Sequence, residues 1–230
     1  MRKINAVVFM SLDGVMQALG APEEDPTGGF EFGGWVWPYF DEVVGAVMGE
    51  DFTKPFDLLL GRFTYDIFAA YWPYFPMEPG QPGYDAAHVH TAKAFNACTK
   101  YVATHRPEGL SWKNTQWLGQ DVVAKLRELK KQDGPPMVIQ GSSELTQQLL
   151  KADLIDRFQL RICPLLLGSG KRLFGDGTIP AGLKLTASTS SPRGVVIATY
   201  ERDGAVKPGS LGADNPSPAE LERRTALATP

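Results

Sequence analysis

Residues 56–68 read FDLLLGRFTYDIF, and the transition in this stretch decides the fold. An apolar run ends at Gly61, and a segment with helical spacing then opens with Arg62 and Thr64. The first turn of a helix has unpaired N–H groups and the positive end of the helix dipole, so it attracts anions. Glycine lets a ligand approach the backbone, and arginine adds a forked contact to a phosphate. An ordinary tight turn, with Thr64 stabilising the helix and Arg62 solvated, is the structural alternative.

A second strand-to-helix transition has the same form. Residues 135–150 read PPMVIQGSSELTQQLL, where an apolar run stops at Gly141 and Ser142 and Ser143 lead into a helix. Their hydroxyl and backbone N–H groups add anion-binding capacity at a second helix start. The paired phosphates of a dinucleotide require two such turns, so the two stretches together predict a nucleotide site. Neither has the GxGxxG spacing of a Rossmann unit.

A third segment ends a strand with three polar residues. The sequence YVATHRP places Thr104, His105 and Arg106 after an apolar run. This cluster fits one more phosphate, such as the 2′-phosphate that distinguishes NADP from NAD, and a basic pair facing water is the structural alternative. Because Arg62 and this cluster supply extra cations, we predict that NADPH binds more tightly than NADH.

Short apolar runs alternate with segments of helical spacing, which is typical of parallel crossover units in an α/β sheet. The end differs, because residues 184–190 and 195–201 flank SPRG, which predicts a β-hairpin and an antiparallel end to the sheet. We predict one domain over residues 1–202 and a tail over 203–230, rich in Gly, Pro, Ser and Ala, in which SPAELERR forms a short helix. The other predicted strands are 4–10, 56–60, 100–104, 137–140 and 157–163, and the predicted helices are 41–51, 64–71, 88–97, 121–131 and 144–152.

The composition excludes several classes of protein. With 230 residues, 43% of them hydrophobic, the chain is long enough for one large domain with a substantial core. A net charge of −3 supplies no basic field for nucleic acid or a membrane surface, so we expect neither partner. Cys98 and Cys163 stand apart without a CxxC motif, which argues against a disulfide scaffold and fits a reducing cytoplasm. No segment approaches the length of a membrane span, and we expect a cytoplasmic protein.

Taken together, these motifs resemble the dihydrofolate-reductase-like superfamily. SLDG after the first strand, LGRFTY, a strand ending in ATHR, IQGSSELTQQLL and CPLLLGSGKRLF occur in its order and spacing. The branch that the chain resembles most is the C-terminal reductase domain of the bifunctional riboflavin-biosynthesis deaminase–reductase, with its stand-alone relatives. The H-x-E and P-C-x-x-C zinc motifs of the deaminase half are absent from the chain. The resemblance implies a three-layer α/β fold with a mostly parallel sheet of about eight strands, NADPH as hydride donor, and a homodimer.

The resemblance also assigns site residues by position. The family binds the nucleotide phosphates at its Gly-Arg-x-Thr turn, at its later glycine-rich turn and at a strand-end polar cluster. The implied cofactor-binding residues are Gly61, Arg62, Thr64, Thr104, His105, Arg106, Gly141, Ser142, Ser143 and Leu145. The riboflavin reductase has a glutamate just before the later glycine, and this chain has Gln140 there, which we take as a substrate-binding candidate.

Hydride transfer also needs a source for the balancing proton. Asp13 in SLDG and Asp41 at the start of a predicted helix are the candidate catalytic acids, and capping a turn or a helix is the structural alternative for each. Trp35 and Trp112 are candidates for stacking a pteridine- or pyrimidine-like substrate ring, although core packing also accounts for such residues. No metal site is expected, because the histidines at 88 and 90 point in different directions on a helix.

Three functions fit these features. The leading hypothesis is an NADPH-dependent reductase acting on a small heterocyclic or ribosylaminopyrimidine-like molecule, as in the riboflavin pathway. A second keeps the fold and the cofactor but reduces dihydrofolate or another pterin. A third is a non-catalytic NADP-binding module, which the amide of Gln140 in place of an acid favours.

Overall fold

The computed structural model of the protein describes residues 1–175, 178–209 and 216–228. Its strands are β1 (Ile4–Ser11), β2 (Asp57–Gly61), β3 (Lys100–Ala103), β4 (Thr115–Trp117), β5 (Met137–Gln140), β6 (Arg157–Cys163), β7 (Leu183–Ser190) and β8 (Val196–Arg202). Its α-helices are α1 (Glu42–Asp51), α2 (Arg62–Tyr71), α3 (Ala86–Ala97), α4 (Val122–Lys131), α5 (Ser143–Lys151) and α6 (Pro218–Ala228).

The described residues form one eight-stranded sheet in the order β4-β3-β2-β5-β1-β6-β8-β7. The strands β1 to β6 pair in parallel, and β8 runs antiparallel to both of its neighbours, β6 and β7. The turn between β7 and β8 is closed by a hydrogen bond from the N–H of Gly194 to the carbonyl of Ser191. The α/β fold, the mostly parallel sheet and its C-terminal antiparallel hairpin are therefore confirmed.

Helices cover both faces of this sheet, which gives three layers. On one face, α4 and α5 pack leucines such as Leu126 and Leu149 against Ile4 and Ile139. On the other face, Val44 of α1 joins one apolar cluster, and Tyr65 of α2 and Phe95 of α3 join another. The three leucines of β2 are fully buried because their strand lies inside the sheet with helices above and below it.

Most predicted elements appear within one or two residues of their expected ends. Strand β4 was not predicted, because it is only three residues long and two of them are exposed. The tail contains α6, as its Ser-Pro start indicates, and its residues 210–215, 229 and 230 lie outside the described residues. Of the helices described, none combines the length and the hydrophobicity needed to cross a bilayer.

The strand order opens a crevice at the middle of the sheet. The chain leaves β1 in one direction to reach β2, whereas β6 lies on the opposite side of β1. At such a switch point the connections diverge, and an opening forms beyond the carboxyl ends of the strands. The strand ends at Gly61 and Gln140 meet there, because β2 and β5 are adjacent and parallel.

Candidate active site

A cleft of about 1060 Å³ opens at this switch point and extends over the sheet face that α1 covers. Its walls come from the loop after β1, the ends of β2, β3 and β5, and the first turns of α2 and α5. Eleven predicted site residues line it: Gly61, Arg62, Thr64, Thr104, His105, Arg106, Gln140, Gly141, Ser142, Ser143 and Leu145. The structure thus brings three segments far apart in sequence to one cleft.

Hydrogen bonds join the two glycine-containing turns directly. The Gly61 N–H donates to Ser142 Oγ at 2.9 Å, and the Ser142 N–H donates to Thr64 Oγ1 at 3.0 Å. Thr64 and Ser142 are therefore occupied with each other's turns, and their side chains hold the starts of α2 and α5 side by side. The first turns that follow lie at the cleft and have no side-chain cap.

Capping distinguishes these two helices from the others on the sheet. Helices α1, α3 and α4 each begin after an aspartate, Asp41, Asp85 or Asp121, whose side chain accepts a first-turn N–H. Neither α2 nor α5 has a side-chain cap, and both start at the cleft. Uncapped first-turn N–H groups donate hydrogen bonds to water or to a ligand, and they favour an anion.

The two glycines have different reasons to be glycine. Gly141 has φ +59°, and an added Cβ would lie 3.0 Å from Thr64 Oγ1, so the fold itself requires glycine there. The backbone conformation and the packing against Thr64 therefore account for glycine at 141 whether or not a ligand approaches it. Gly61 has φ −75°, which any residue adopts, and an added Cβ would meet Ser142 at an ordinary 3.5 Å. The protein alone does not require glycine at 61, which leaves close approach of a ligand as its reason.

Two of the three guanidinium nitrogens of Arg62 are bonded to protein groups. Its Nε donates to both carboxylate oxygens of Asp66 at 2.8 and 2.9 Å, and its Nη1 donates to the carbonyls of Arg106 and Glu108. Arg62 therefore carries a neutralised charge and holds the loop after β3 against α2. Among the described residues, the guanidinium of Arg106 is exposed and makes no ion pair, so it is the cation left for a phosphate.

The other two members of the strand-end cluster shape this loop. Thr104 Oγ1 accepts the Arg106 N–H at 3.0 Å, which closes a short turn. The carbonyl of Thr104 accepts the indole N–H of Trp117, and the ring of His105 lies 3.2 Å from Gln120 Oε1. The loop thus presents its basic side chains from an internally bonded backbone.

Asp13 lies outside the cleft and has a structural role instead of the catalytic one considered above. Its carboxylate accepts the Ser11 hydroxyl at 2.6 Å and the N–H groups of Leu167 and Gly168 at 3.1 and 2.8 Å. Burial raises the pKa of Asp13, but these hydrogen bonds outweigh it and lower the pKa to about 2. A carboxylate with this pKa holds no proton to donate near neutral pH.

Asp41 and the two predicted stacking residues also lie outside the cleft. Asp41 caps α1 by accepting the Val44 N–H at 3.0 Å, and it accepts the Arg193 N–H at 3.0 Å. Trp35 and Trp112 are buried, and their indole N–H groups donate to the carbonyl of Gln17 and to Asn96 Oδ1. In each case the structural alternative given by the sequence, a helix cap or core packing, is the one found.

The cleft contains groups that the sequence did not indicate. Aromatic rings reach its wall from Tyr71 at the end of α2, from Trp72 directly after it and from His88 of α3. Glu24, in the loop after β1, lines the cleft and accepts the Gly20 N–H at 2.6 Å. Burial raises the pKa of Glu24, and the neighbouring Asp25 adds to the rise. Glycines and prolines around Glu24 marked this stretch only as a loop, so its approach to the cleft had no sequence signal.

A buried ion pair forms another part of the wall. Arg161 of β6, 1% exposed, pairs with Asp51 at the end of α1, and both line the cleft. The available signal was a charged residue, Arg161, inside a strand whose apolar residues predict burial.

The fold and the cleft define an α/β protein of the dihydrofolate-reductase-like class. The chain belongs to the RibD C-terminal domain family, whose model matches residues 2–197. It is 27% identical over 169 residues to the Uncharacterized protein YyaP of Bacillus subtilis, which covers 73% of this chain and 84% of YyaP.

Solved structures share this fold at low sequence identity. A pyrimidine reductase-like protein from Corynebacterium diphtheriae matches with a TM-score of 0.54 and 14% identity, over 88% of this chain and 92% of that one. A protein from Shewanella sp. PV-4, provisionally named for riboflavin biosynthesis, matches with a TM-score of 0.53 and 20% identity, over 87% and 99%. Dihydrofolate reductase from Enterococcus faecalis, complexed with NADP(H), matches with a TM-score of 0.50 and 15% identity, over 87% and 96%.

Proposed function

We propose that the protein is an NADPH-dependent reductase of a small heterocyclic substrate, with phosphoribosylaminouracil reduction of the riboflavin-pathway type as the leading reaction. Membership of the RibD C-terminal domain family supports an oxidoreductase. The NADP(H) bound by the structurally similar Enterococcus faecalis enzyme supports the cofactor. When bound, the nicotinamide supplies the hydride, and the protein supplies geometry and a proton.

One observation carries the proposal. Of the five helices that flank the sheet, α2 and α5 alone lack a side-chain cap, and their first turns lie side by side at the cleft. Two adjacent anion sites fit the paired phosphates of a dinucleotide. Gly61, which the protein's own packing does not require, and the exposed Arg106 fit the same ligand.

Glu24 is the carboxyl group best placed to supply the proton. It lines the cleft, and its raised pKa increases the protonated fraction near neutral pH. This group also favours an enzyme over a non-catalytic module, because the cleft retains an acid although residue 140 is an amide. Glu24→Gln is expected to slow turnover with little change in NADPH affinity, since Glu24 is not part of the phosphate turns.

The nucleotide site is tested by Gly61→Ala. The backbone conformation accepts alanine and the added Cβ makes only ordinary contacts, so the variant is expected to fold normally. A Cβ in the gap between backbone and phosphate is expected to weaken NADPH binding by about tenfold or more, which is about 1.4 kcal/mol. Gly49→Ala on the exposed side of α1 is the matched control, because nothing lies within 4 Å of its added Cβ.

The outcomes separate the two explanations of this turn. Thermal unfolding shows whether Gly61→Ala folds, and fluorescence titration measures NADPH affinity on the same samples. Unchanged affinity in folded Gly61→Ala protein would remove this turn from the nucleotide site. NADPH consumption with ribosylaminopyrimidines and pterins then identifies the substrate class, and no turnover with any of them argues for the non-catalytic alternative.

The homodimer remains a proposal. Strand β7 lies at one edge of the sheet, and all eight of its residues are exposed, which provides a surface for a second copy. Sedimentation at micromolar concentration is expected to show a species of twice the chain mass of 25.1 kDa. A single-chain species alone would contradict it.

A further inference from the structure

The pair of Arg161 and Asp51 is not explained by the nucleotide site. The side chains are 1% and 9% exposed, and Asp51 Oδ1 also accepts the side-chain N–H of Gln159 at 3.1 Å. Among the residues that the structure describes, Arg161 Nε and Nη1 are buried and have no hydrogen-bond partner. Arg161 nevertheless lines the cleft. It is therefore a nearly buried cation with two unused donors in a cavity wall.

The other buried arginine shows what a purely structural pair looks like here. Arg2 is 5% exposed and pairs with Asp57, and its Nε and Nη1 donate to the carbonyl of Pro135 and to the hydroxyl of Tyr101. Arg2 does not line the cleft. Unmade hydrogen bonds of a buried charge are costly, and a well-packed apolar side chain is often as stable as a buried ion pair. The unused donors of Arg161 thus point to a ligand.

The charge balance indicates that the part of a ligand next to Arg161 is uncharged. Asp51 already neutralises Arg161, so a bound anion would leave a net negative charge in a buried place. Burial raises the pKa of Asp51 and lowers that of Arg161, because little water reaches the pair. The neighbouring wall is apolar, with the Phe9 ring 5.3 Å from the guanidinium carbon and Met48 and Phe52 lining the same cleft. A flat, uncharged ring with a carbonyl oxygen would accept hydrogen bonds from these donors and pack against the apolar wall.

The strand register separates this place from the phosphate turns. Gln140 is paired with Val7 of β1, and Arg161 is paired with Phe9 of the same strand. Two strand spacings and a two-residue offset put Arg161 about 10 Å across and about 7 Å along the sheet from Gln140. A group that reaches Arg161 therefore lies at a different place in the cleft from the phosphates.

We propose that Arg161, balanced by Asp51, binds a carbonyl oxygen on the uncharged ring of a heterocyclic substrate through its Nε and Nη1 donors. The inference rests on the proposed function in taking this ligand as the hydride acceptor. It makes Arg161 a specificity-determining residue, which selects carbonyl-bearing rings over rings that carry a negative charge at that edge.

The test uses lumazine, an uncharged bicyclic dione, and lumazine-6-carboxylate as its anionic counterpart. Equilibrium dialysis measures the affinity of both probes for the wild-type protein, for Arg161→Met and for Arg2→Met. Wild-type protein is expected to prefer lumazine, and Arg161→Met is expected to lose at least tenfold in lumazine affinity. Arg2→Met controls for the loss of a buried, paired arginine and is expected to bind lumazine normally after thermal unfolding has confirmed that it is folded.

A second variant tests the charge balance. Asp51→Asn leaves the cation of Arg161 without its counter-charge, so the preference is expected to move by at least tenfold toward the carboxylate probe. An unchanged ratio would overturn the balance argument. Equal lumazine affinity in wild-type and Arg161→Met protein, or no lumazine binding by the wild-type protein, would overturn the assignment of Arg161.

These results are independent of the nucleotide proposal. Dialysis is carried out with and without NADPH, so lumazine binding through Arg161 can be observed even if NADPH does not bind. Lumazine binding without NADPH binding would overturn the proposed reductase and keep the carbonyl site. NADPH binding without lumazine binding through Arg161 would keep the nucleotide site and overturn the carbonyl site.

Discussion

Arg106 offers the sharpest prediction about cofactor choice. Its guanidinium is exposed and makes no ion pair among the described residues, whereas Asp66 neutralises Arg62. A hydrogen bond to a charged group is worth about 1.5–3 kcal/mol, and solvent exposure places Arg106 at the lower end of that range. Because about 1.4 kcal/mol corresponds to tenfold in affinity, Arg106→Ala should raise the Kd for NADPH about tenfold. The Kd for NADH, which lacks the 2′-phosphate, should change less than twofold.

The assay is a fluorescence titration of both nucleotides at two salt concentrations. Arg106→Lys keeps the charge and should recover part of the preference for NADPH. Arg127→Ala is the control for a lost exposed cation, since Arg127 does not line the cleft. Higher salt should reduce the NADPH preference of the wild-type protein, because exposed charges are screened.

Arg62 distinguishes this reasoning from the sequence-based hypothesis. Its bonds to the carbonyls of Arg106 and Glu108 hold the loop, so Arg62→Ala should weaken NADPH and NADH by similar factors if the loop position matters. A selective loss of NADPH in Arg62→Ala, with no effect of Arg106→Ala, would refute the assignment and restore Arg62 as the residue that recognises the 2′-phosphate.

Three stability predictions follow from buried polar contacts. Asp13→Asn should lower the free energy of unfolding by about 1–2 kcal/mol at pH 7, a value discounted for the partial exposure of the side chain. Because the folded pKa of about 2 lies below the reference value of 3.8, the difference in stability between the two proteins, measured by urea unfolding, should vanish as the pH falls from about 4 to about 2. Lys100→Met should lower the free energy of unfolding by about 2–3 kcal/mol, because the buried Nζ donates to three carbonyls at the end of α3. Unchanged stability in urea unfolding would contradict this prediction. Thr64→Val leaves the partly buried N–H of Ser142 without its acceptor, so it should lower the free energy of unfolding by about 1–2 kcal/mol and weaken the binding of both nucleotides equally in titration. Selective loss of NADPH binding would count against it.

The sequence by itself determined the order of strands and helices and the two glycine-containing turns. These features are local, because an apolar run, a glycine and a helix start lie within about a dozen neighbouring residues. The stretch around Gly61 and the stretch around Gly141 could therefore be recognised separately. The hydrogen bonds between them could not, since Ser142 and Gly61 are 81 residues apart.

The roles of the side chains at the site were harder to predict than the backbone turns that form it. Arg62 was expected to bind phosphate because arginine after such a glycine often does, but Asp66 one helical turn later neutralises it. Asp13 was expected to be an acid because it is a carboxyl near a predicted pocket, and the N–H groups of Leu167 and Gly168, more than 150 residues away, occupy it. The role of a side chain depends on the residues that it contacts, and a single sequence does not show which distant residues those are.

Only the tertiary structure reveals the part of the cleft wall that Arg161 and Asp51 form. Arg161 and Asp51 are separated by 110 residues, and they meet because the sheet order puts β6 beside β1 under the end of α1. The hydrophobic pattern alone predicts that β6 is a buried strand. A charge in such a strand is tolerated only where an opposite charge lies beside it. That condition is a property of packing between distant segments, so the ion pair and its unused donors emerge only when the chain is folded.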